Sequence, residues 1–187
     1  MTRKGKKRIM TAKLEDIFPQ IKEIKNKSLR EGVETCWREA VRRGGWQLDD
    51  LEKVPFTLTF KECEISLAAH TRAVTDCCLA IGRVLDAAYR SRYRINFDVL
   101  TAGALLHDVG KLLEYKRDGD RYVVSAAGRI LRHPISGCAL AAEAGLPESV
   151  QHIIAVHSHE GDKGHRTPEA YIVHHSDFVN FHPLADR

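Results

Sequence analysis

Side chains of metal-ligand type recur along this chain at His70, at the adjacent pair His107-Asp108, at His133, at His157 or His159, and at Asp177. Each falls on, or at the end of, a stretch whose apolar residues repeat at helical spacing. Residues so far apart can act together only if the helices carrying them fold back on one another. Convergence of four or five antiparallel helices on a bundle interior is a recurrent way to build a histidine and carboxylate metal site. The expected fold is therefore all-α, a helical bundle with a small, mainly helical N-terminal extension.

Length and composition fit that expectation. With 187 residues the chain suits one compact unit and can bury about two-thirds of its unfolded surface. Hydrophobic residues make up 43% and charged residues 29%, the balance of a soluble globular protein. No run of about 18 apolar residues occurs, and the N-terminus lacks the apolar block of a secretory signal, so a cytoplasmic location without membrane contact is expected. The cysteines Cys36, Cys63, Cys77, Cys78 and Cys138 are odd in number and contain no C-x-x-C pair, which argues against a disulfide framework and against a thiolate zinc site. The net charge of +4 is concentrated in Arg3, Lys4, Lys6, Lys7 and Arg8. No aromatic residue interleaves with them, so nucleic-acid binding is not indicated.

Residues 1–62 read as a basic tail and N-terminal helical extension, and 63–187 as the core that carries the ligand series. In the extension, Glu31 to Arg43 is expected to be an amphipathic helix stopped by Gly44-Gly45, with Trp37 and Trp46 anchoring it to the core; its amphipathic helices also offer a homodimer face. Phe56 to Phe60 alternates like a short strand or an extended clasp. In the core, a helix is expected from Cys63 to Tyr89, and a second from the N-cap Asn96 to Gly110. Glu114 to Ala127 reads as a loop over the mouth of the site. His133 stands where an N-cap would, with Pro134 first in its helix and Gly145 just beyond the end. Pro147 opens the next helix, which delivers His157-Ser158-His159-Glu160-Gly161, and Glu169 to Phe181 carries Asp177.

A divalent ion in such a centre acidifies bound water and draws charge off a phosphoryl oxygen, so hydrolysis of a phosphate ester is the expected chemistry. With two ions, Asp108 is the natural bridge. Lys111, three residues beyond Asp108, is placed to reach a substrate phosphate.

The series His70, His107-Asp108 with Gly110-Lys111, His133, the His157 to Gly161 segment and Asp177 resembles the HD-domain metal-dependent phosphohydrolase superfamily in its H…HD-x-G-K…H…H…D form. The resemblance runs from about Glu64 to Asn180. It implies an all-α fold with one or two divalent ions (iron, manganese, cobalt, nickel or zinc). It also implies hydrolysis of a phosphate mono- or diester, of the nucleotide or cyclic nucleotide kind. His70, His107, Asp108 and Asp177 would hold one ion, and His133 with His159 a second. Ser158-His159-Glu160-Gly161 looks like the S-H-H-G motif of a branch that includes bacterial exoribonucleases. Glu160 replaces its second histidine, which leaves His157 as a substitute ligand. No glycine-tyrosine-proline signature follows, and the first 60 residues read as helical rather than as an OB-type domain.

A non-catalytic nucleotide-sensing module and a di-iron oxygenase are the alternative readings. Asp76 and Asp86 are expected to be solvated, Arg72 is a further candidate for a phosphate contact, and His174 is placed to orient a ligand by hydrogen bonding.

Overall fold

The computed structural model describes residues 13–60 and 63–185. The basic cluster from Arg3 to Arg8 lies outside the described residues.

The N-terminal layer comprises α1 (Leu14–Ile17), a 3₁₀ turn (Pro19–Glu23), α2 (Lys27–Gly44) and a second 3₁₀ turn (Leu48–Glu52). Helix α2 starts four residues earlier than its apolar repeat suggests, because the Asn26 side chain accepts from the Leu29 N–H at 3.1 Å and satisfies an otherwise orphaned donor. It ends where Gly45 adopts φ 73°, a left-handed geometry that glycine enters without a Cβ penalty. Its buried stripe of Val33, Cys36, Trp37 and Ala40 faces the core, and Trp37 stacks on Phe18 at 4.8 Å. The Trp46 indole donates to the Leu112 carbonyl at 2.7 Å and so fastens this layer to the turn after His107-Asp108. One buried apolar cluster runs from Leu14 to Ile154, through both the N-terminal layer and the helices beneath it.

Helix α3 (Leu67–Tyr89) starts at Leu67 rather than Cys63, since Ser66 caps it by accepting from the Ala69 N–H at 3.1 Å. Asn96 caps α4 (Phe97–Leu106) as expected. Helix α4 is the centre of the bundle: every residue from Leu100 to Leu106 is buried, and α2, α3, α7 and α8 pack around it. It ends at Leu106 instead of continuing to Gly110. Residues 107–110 turn, and a single helical turn, α5 (Lys111–Glu114), follows.

The expected loop from Glu114 is a hairpin, β1 (Tyr115–Asp118) antiparallel to β2 (Arg121–Val124), reversing at Gly119 with φ 59°. The remaining helices are α6 (His133–Glu143), α7 (Glu148–Val156) and α8 (Pro168–Ala185). Arg132 takes the N-cap of α6, so His133 is the first helical residue and Pro134 the second. The segment 56–60 forms no strand. It is an irregular clasp held by a bridge between Pro55 and Ser66 and by the Phe56 N–H donating to the Ile65 carbonyl at 3.0 Å. Its alternating pattern has no neighbouring strand to pair with; instead Phe56 turns inward, 1% exposed.

Two side chains read as solvent- or phosphate-facing are structural. Asp86 is buried, accepting from the Ile95 N–H at 3.2 Å and from Arg90 at 3.0 Å, which ties the end of α3 to the segment entering α4. Arg72 donates to the Ile17 carbonyl at 3.0 Å and pairs with Glu52, so it joins α3 to the N-terminal layer. Asp76 is exposed and accepts from Gln20.

Gly110 explains how the His107 turn meets α6. A Cβ there would lie 2.2 Å from the His133 carbonyl oxygen and 2.7 Å from the Gly137 nitrogen, and neither backbone atom can swing aside. Gly110→Ala is expected to destabilise the fold by about 1–3 kcal/mol, the usual cost of overpacking. A thermal melt checks this; an unchanged midpoint would mean that α6 does not depend on that close approach.

Candidate metal centre

Three of the site histidines are aimed by the ends of the helices they belong to. His107 and His157 follow the last residues of α4 and α7, where backbone carbonyls lack intrahelical partners. The Nδ1 of His107 lies 2.7 Å from the Ala104 carbonyl, and that of His157 lies 2.7 Å from the Ile154 carbonyl. A carbonyl only accepts, so each Nδ1 carries the proton and each Nε2 turns away from the helix. His133 begins α6, where the unpaired groups are donors instead. Its Nδ1 and its backbone N–H both donate to Glu114 Oε2, at 2.8 and 2.6 Å. His70, one turn into α3, is covered by the Phe56 ring stacked on it at 4.2 Å.

These rings meet around one carboxylate. Asp108 Oδ2 lies 3.6 Å from His70 Nε2 and 3.4 Å from His107 Nε2; Oδ1 lies 3.4 Å from His133 Nε2 and 3.7 Å from His157 Nε2. Asp177 closes the first side, its Oδ1 3.0 Å from His70 Nε2 and 3.9 Å from His107 Nε2. The ligand atoms therefore form two groups that share Asp108, namely His70, His107 and Asp108, and Asp108, His133 and His157, each within 4.8 Å. All five residues are buried, with at most 4% exposure.

The donor set fits divalent cations. Asp108 Oδ1 is buried and has no hydrogen-bond partner, although two imidazoles point at it. A buried anionic oxygen facing ring nitrogens whose protons are engaged elsewhere is costly unless a cation sits between them. Imidazole and carboxylate donors suit the first-row transition ions.

The electrostatics agree. Burial would raise the Asp108 carboxyl, but Lys111 and His107 outweigh it and hold the group well below the ordinary range. Burial likewise opposes ionisation of Asp177, which the His70 hydrogen bond and His107 hold low. Desolvation lowers His70, and it pushes His133 down to about 4 against the pull of Glu114, so that ring stays neutral and able to ligate. His107 is raised, because Asp108 and Asp177 overcome its burial; the field that draws a proton there is one that favours a metal cation.

Lys111 does not extend freely toward a substrate. Its Nζ donates to Asp108 Oδ2 and to the Phe56 carbonyl, both at 2.6 Å, while its flank lines a cavity. That cavity, about 450 Å³, is lined by His133 and Asp177, by the apolar Leu58, Phe178 and Phe181, and by Arg132 and His159. His159 stands apart from the Asp108 cluster: its ring is 71% exposed and pairs with Asp162 at 3.1 Å. His157 occupies the cluster position instead. His174 Nδ1 donates to the His157 carbonyl at 2.6 Å, which steadies the chain at His157 rather than the ring itself. Arg132 is paired with Glu160 at 3.1 Å. Sequence reasoning missed Glu114, whose only signal was a carboxylate one turn past Lys111.

The HD domain family model matches residues 67–179, a span that holds the whole cluster from His70 to Asp177. A dihydroneopterin 2′,3′-cyclic phosphate phosphodiesterase of Methanocaldococcus jannaschii is 35% identical over 135 residues, which is 68% of this chain and 51% of that protein. The chain thus spans about half the length of this curated relative. No solved structure matches this chain. Among the described residues no helix is long and apolar enough to cross a membrane. On the match of its core and the residues within it, the chain belongs to the HD domain family.

Proposed function

We propose that this chain is a metal-dependent phosphohydrolase that cleaves a mono- or diester of a small molecule bearing a flat heterocycle, such as a nucleotide, a cyclic nucleotide or a pterin cyclic phosphate. The observation that carries this reading is the orphaned Asp108 Oδ1, which faces His133 and His157, with His133 also lining the cavity. His70, His107, Asp108 and Asp177 would hold one divalent ion, and Asp108, His133 and His157 a second. Ions held there would acidify a bound water and offset charge on a phosphoryl group.

The chain's own residues do the rest. Lys111 keeps Asp108 ionised and fixes its Oδ2, leaving Oδ1 for the other side of the centre. The Phe56 ring shields His70 from water, which strengthens every charge interaction beneath it. In the cavity that His133 and Asp177 line, Leu58, Phe178 and Phe181 suit the face of a heterocycle, and Arg132, paired with Glu160, is a cation suited to its phosphate. The activity of the relative, a cyclic phosphate diesterase, supports a diester as the first substrate to try.

The test is metal analysis of the purified chain together with phosphate-ester hydrolysis, using 2′,3′-cyclic nucleotides with manganese, cobalt or nickel. Turnover is expected only with metal, and Asp108→Asn should lose both the metal and the turnover; unimpaired hydrolysis by Asp108→Asn would sink the proposed centre. Bound metal with no turnover on any ester would favour a sensing role. His157→Ala should cost one ion per chain while His159→Ala costs none, and the reverse result would exchange their roles.

Removing one partner of a buried ion pair typically costs about 3–5 kcal/mol. Lys111→Met should therefore lower the melting temperature sharply in metal-stripped protein and much less in metal-loaded protein, where ions neutralise Asp108. Equal losses in both states would show that Lys111 acts on something other than that carboxylate.

A further inference from the structure

We infer that Glu114 is the positioning residue for the second ion, the one assigned to Asp108, His133 and His157. The inference rests on the metal-dependent reading above. Its basis is an asymmetry among the site histidines. His107 and His157 end helices, and carbonyls of their own helices, Ala104 and Ile154, take their Nδ1 protons at 2.7 Å. His133 begins a helix. No earlier turn of α6 offers it a carbonyl, and its own N–H is one of the unpaired donors of a helix start. Without an outside acceptor its ring has nothing to set its tautomer or its direction.

Glu114 supplies both needs with one oxygen. Oε2 accepts from His133 Nδ1 at 2.8 Å and from its backbone N–H at 2.6 Å. A carboxylate at a helix start is also favoured by the helix dipole. The proton is thereby fixed on Nδ1, and the Nε2 lone pair is aimed at Asp108 Oδ1, 3.4 Å away. Carboxylates that take the outer proton of a ligating histidine make the ring more basic and hold its orientation.

The carboxylate is itself built into place. The Glu114 carbonyl accepts from the Ser125 N–H at 2.7 Å, closing the base of the hairpin. Gly128 packs so tightly that a Cβ there would come within 2.8 Å of Glu114 Cγ. The Ser125 hydroxyl, which donates to the Leu113 carbonyl at 2.8 Å and accepts from the Gly128 N–H at 2.9 Å, holds that loop against it. The hairpin and the following loop thus act as a brace behind the second half of the centre.

The experiment titrates metal-stripped full chain with Mn²⁺, followed by calorimetry and by electron paramagnetic resonance. The wild type should bind two ions with the exchange-coupled signal of a carboxylate-bridged pair. Glu114→Gln keeps the shape and an acceptor but not the charge. It should weaken the second ion roughly 10- to 100-fold, the usual effect of removing such a partner, and leave the first unchanged. The spectrum should then become that of an isolated ion at one equivalent. Glu114→Ala should go further in the same direction, and if it does not fold, Glu114→Gln alone decides.

A merely structural role would lower the melting temperature without separating the two ions, so equal weakening of both, or of neither, overturns the inference. A wild type that binds only one ion overturns it as well. A wild type that takes up no divalent ion removes the metal reading itself, which distinguishes failure of the foundation from failure of the inference.

Discussion

A carboxylate that water cannot reach must be neutralised by something, and at Asp108 this requirement organises the rest of the molecule. The group is 1% exposed, with Lys111 on one oxygen and no hydrogen-bond donor on the other. One cation on one side leaves half of the carboxylate uncompensated in a medium where the attraction between charges is several times that in water. Neutral imidazoles with their outer protons committed to other acceptors, as at His133 and His157, offer Oδ1 only lone pairs, an arrangement that a cation between them would relieve. The donor set thus suits a cation between the rings and the carboxylate. The clustered histidines are held by hydrogen bonds that point outward from the centre.

Helix ends do most of this holding. Placing His107 and His157 just beyond α4 and α7 uses carbonyls that the helices cannot satisfy themselves. Two structural needs, capping a helix and fixing a tautomer, are met by one hydrogen bond. The same logic inverted accounts for Glu114, because a histidine at a helix start needs an acceptor from another part of the chain. Gly110 allows this by letting the His133 carbonyl approach the turn more closely than any side chain would permit.

The residues that the structure clusters were legible in the sequence because chemistry and periodicity coincide at them: His70, His107, Asp108, His133 and Asp177 are polar groups on otherwise apolar helical stretches. The helical bundle followed from the same pattern. What the sequence left open was direction. His157 and His159 are two residues apart, and only the place where α7 ends turns one inward and the other to solvent. Lys111 looked free because spacing cannot reveal that the Phe56 carbonyl, 55 residues earlier, accepts a hydrogen bond from its Nζ. Glu114 was hidden for a similar reason: a carboxylate before a β-prone run looks like surface, and its partner lies 19 residues on. Arg72 and Asp86 show the reverse error, in which charges assigned to solvent or substrate prove to bind backbone groups of neighbouring segments.

The N-terminal layer is part of the same argument. Residues 54–56 clasp the start of α3 through the Leu67 N–H to Val54 carbonyl bond at 2.7 Å and the bridge between Pro55 and Ser66. That clasp sets Phe56 over His70 and presents its carbonyl to Lys111. Trp46 reaches from the same layer to the Leu112 carbonyl, beside the lysine. Without these contacts Lys111 Nζ and one face of His70 would meet water, and the low-dielectric setting that makes Asp108 demand a cation would be lost. The pattern of the sequence divides near residue 62, but the interactions that bury and fix the histidine and aspartate cluster run across that division, so the extension shapes the candidate centre as much as the helices that carry its side chains.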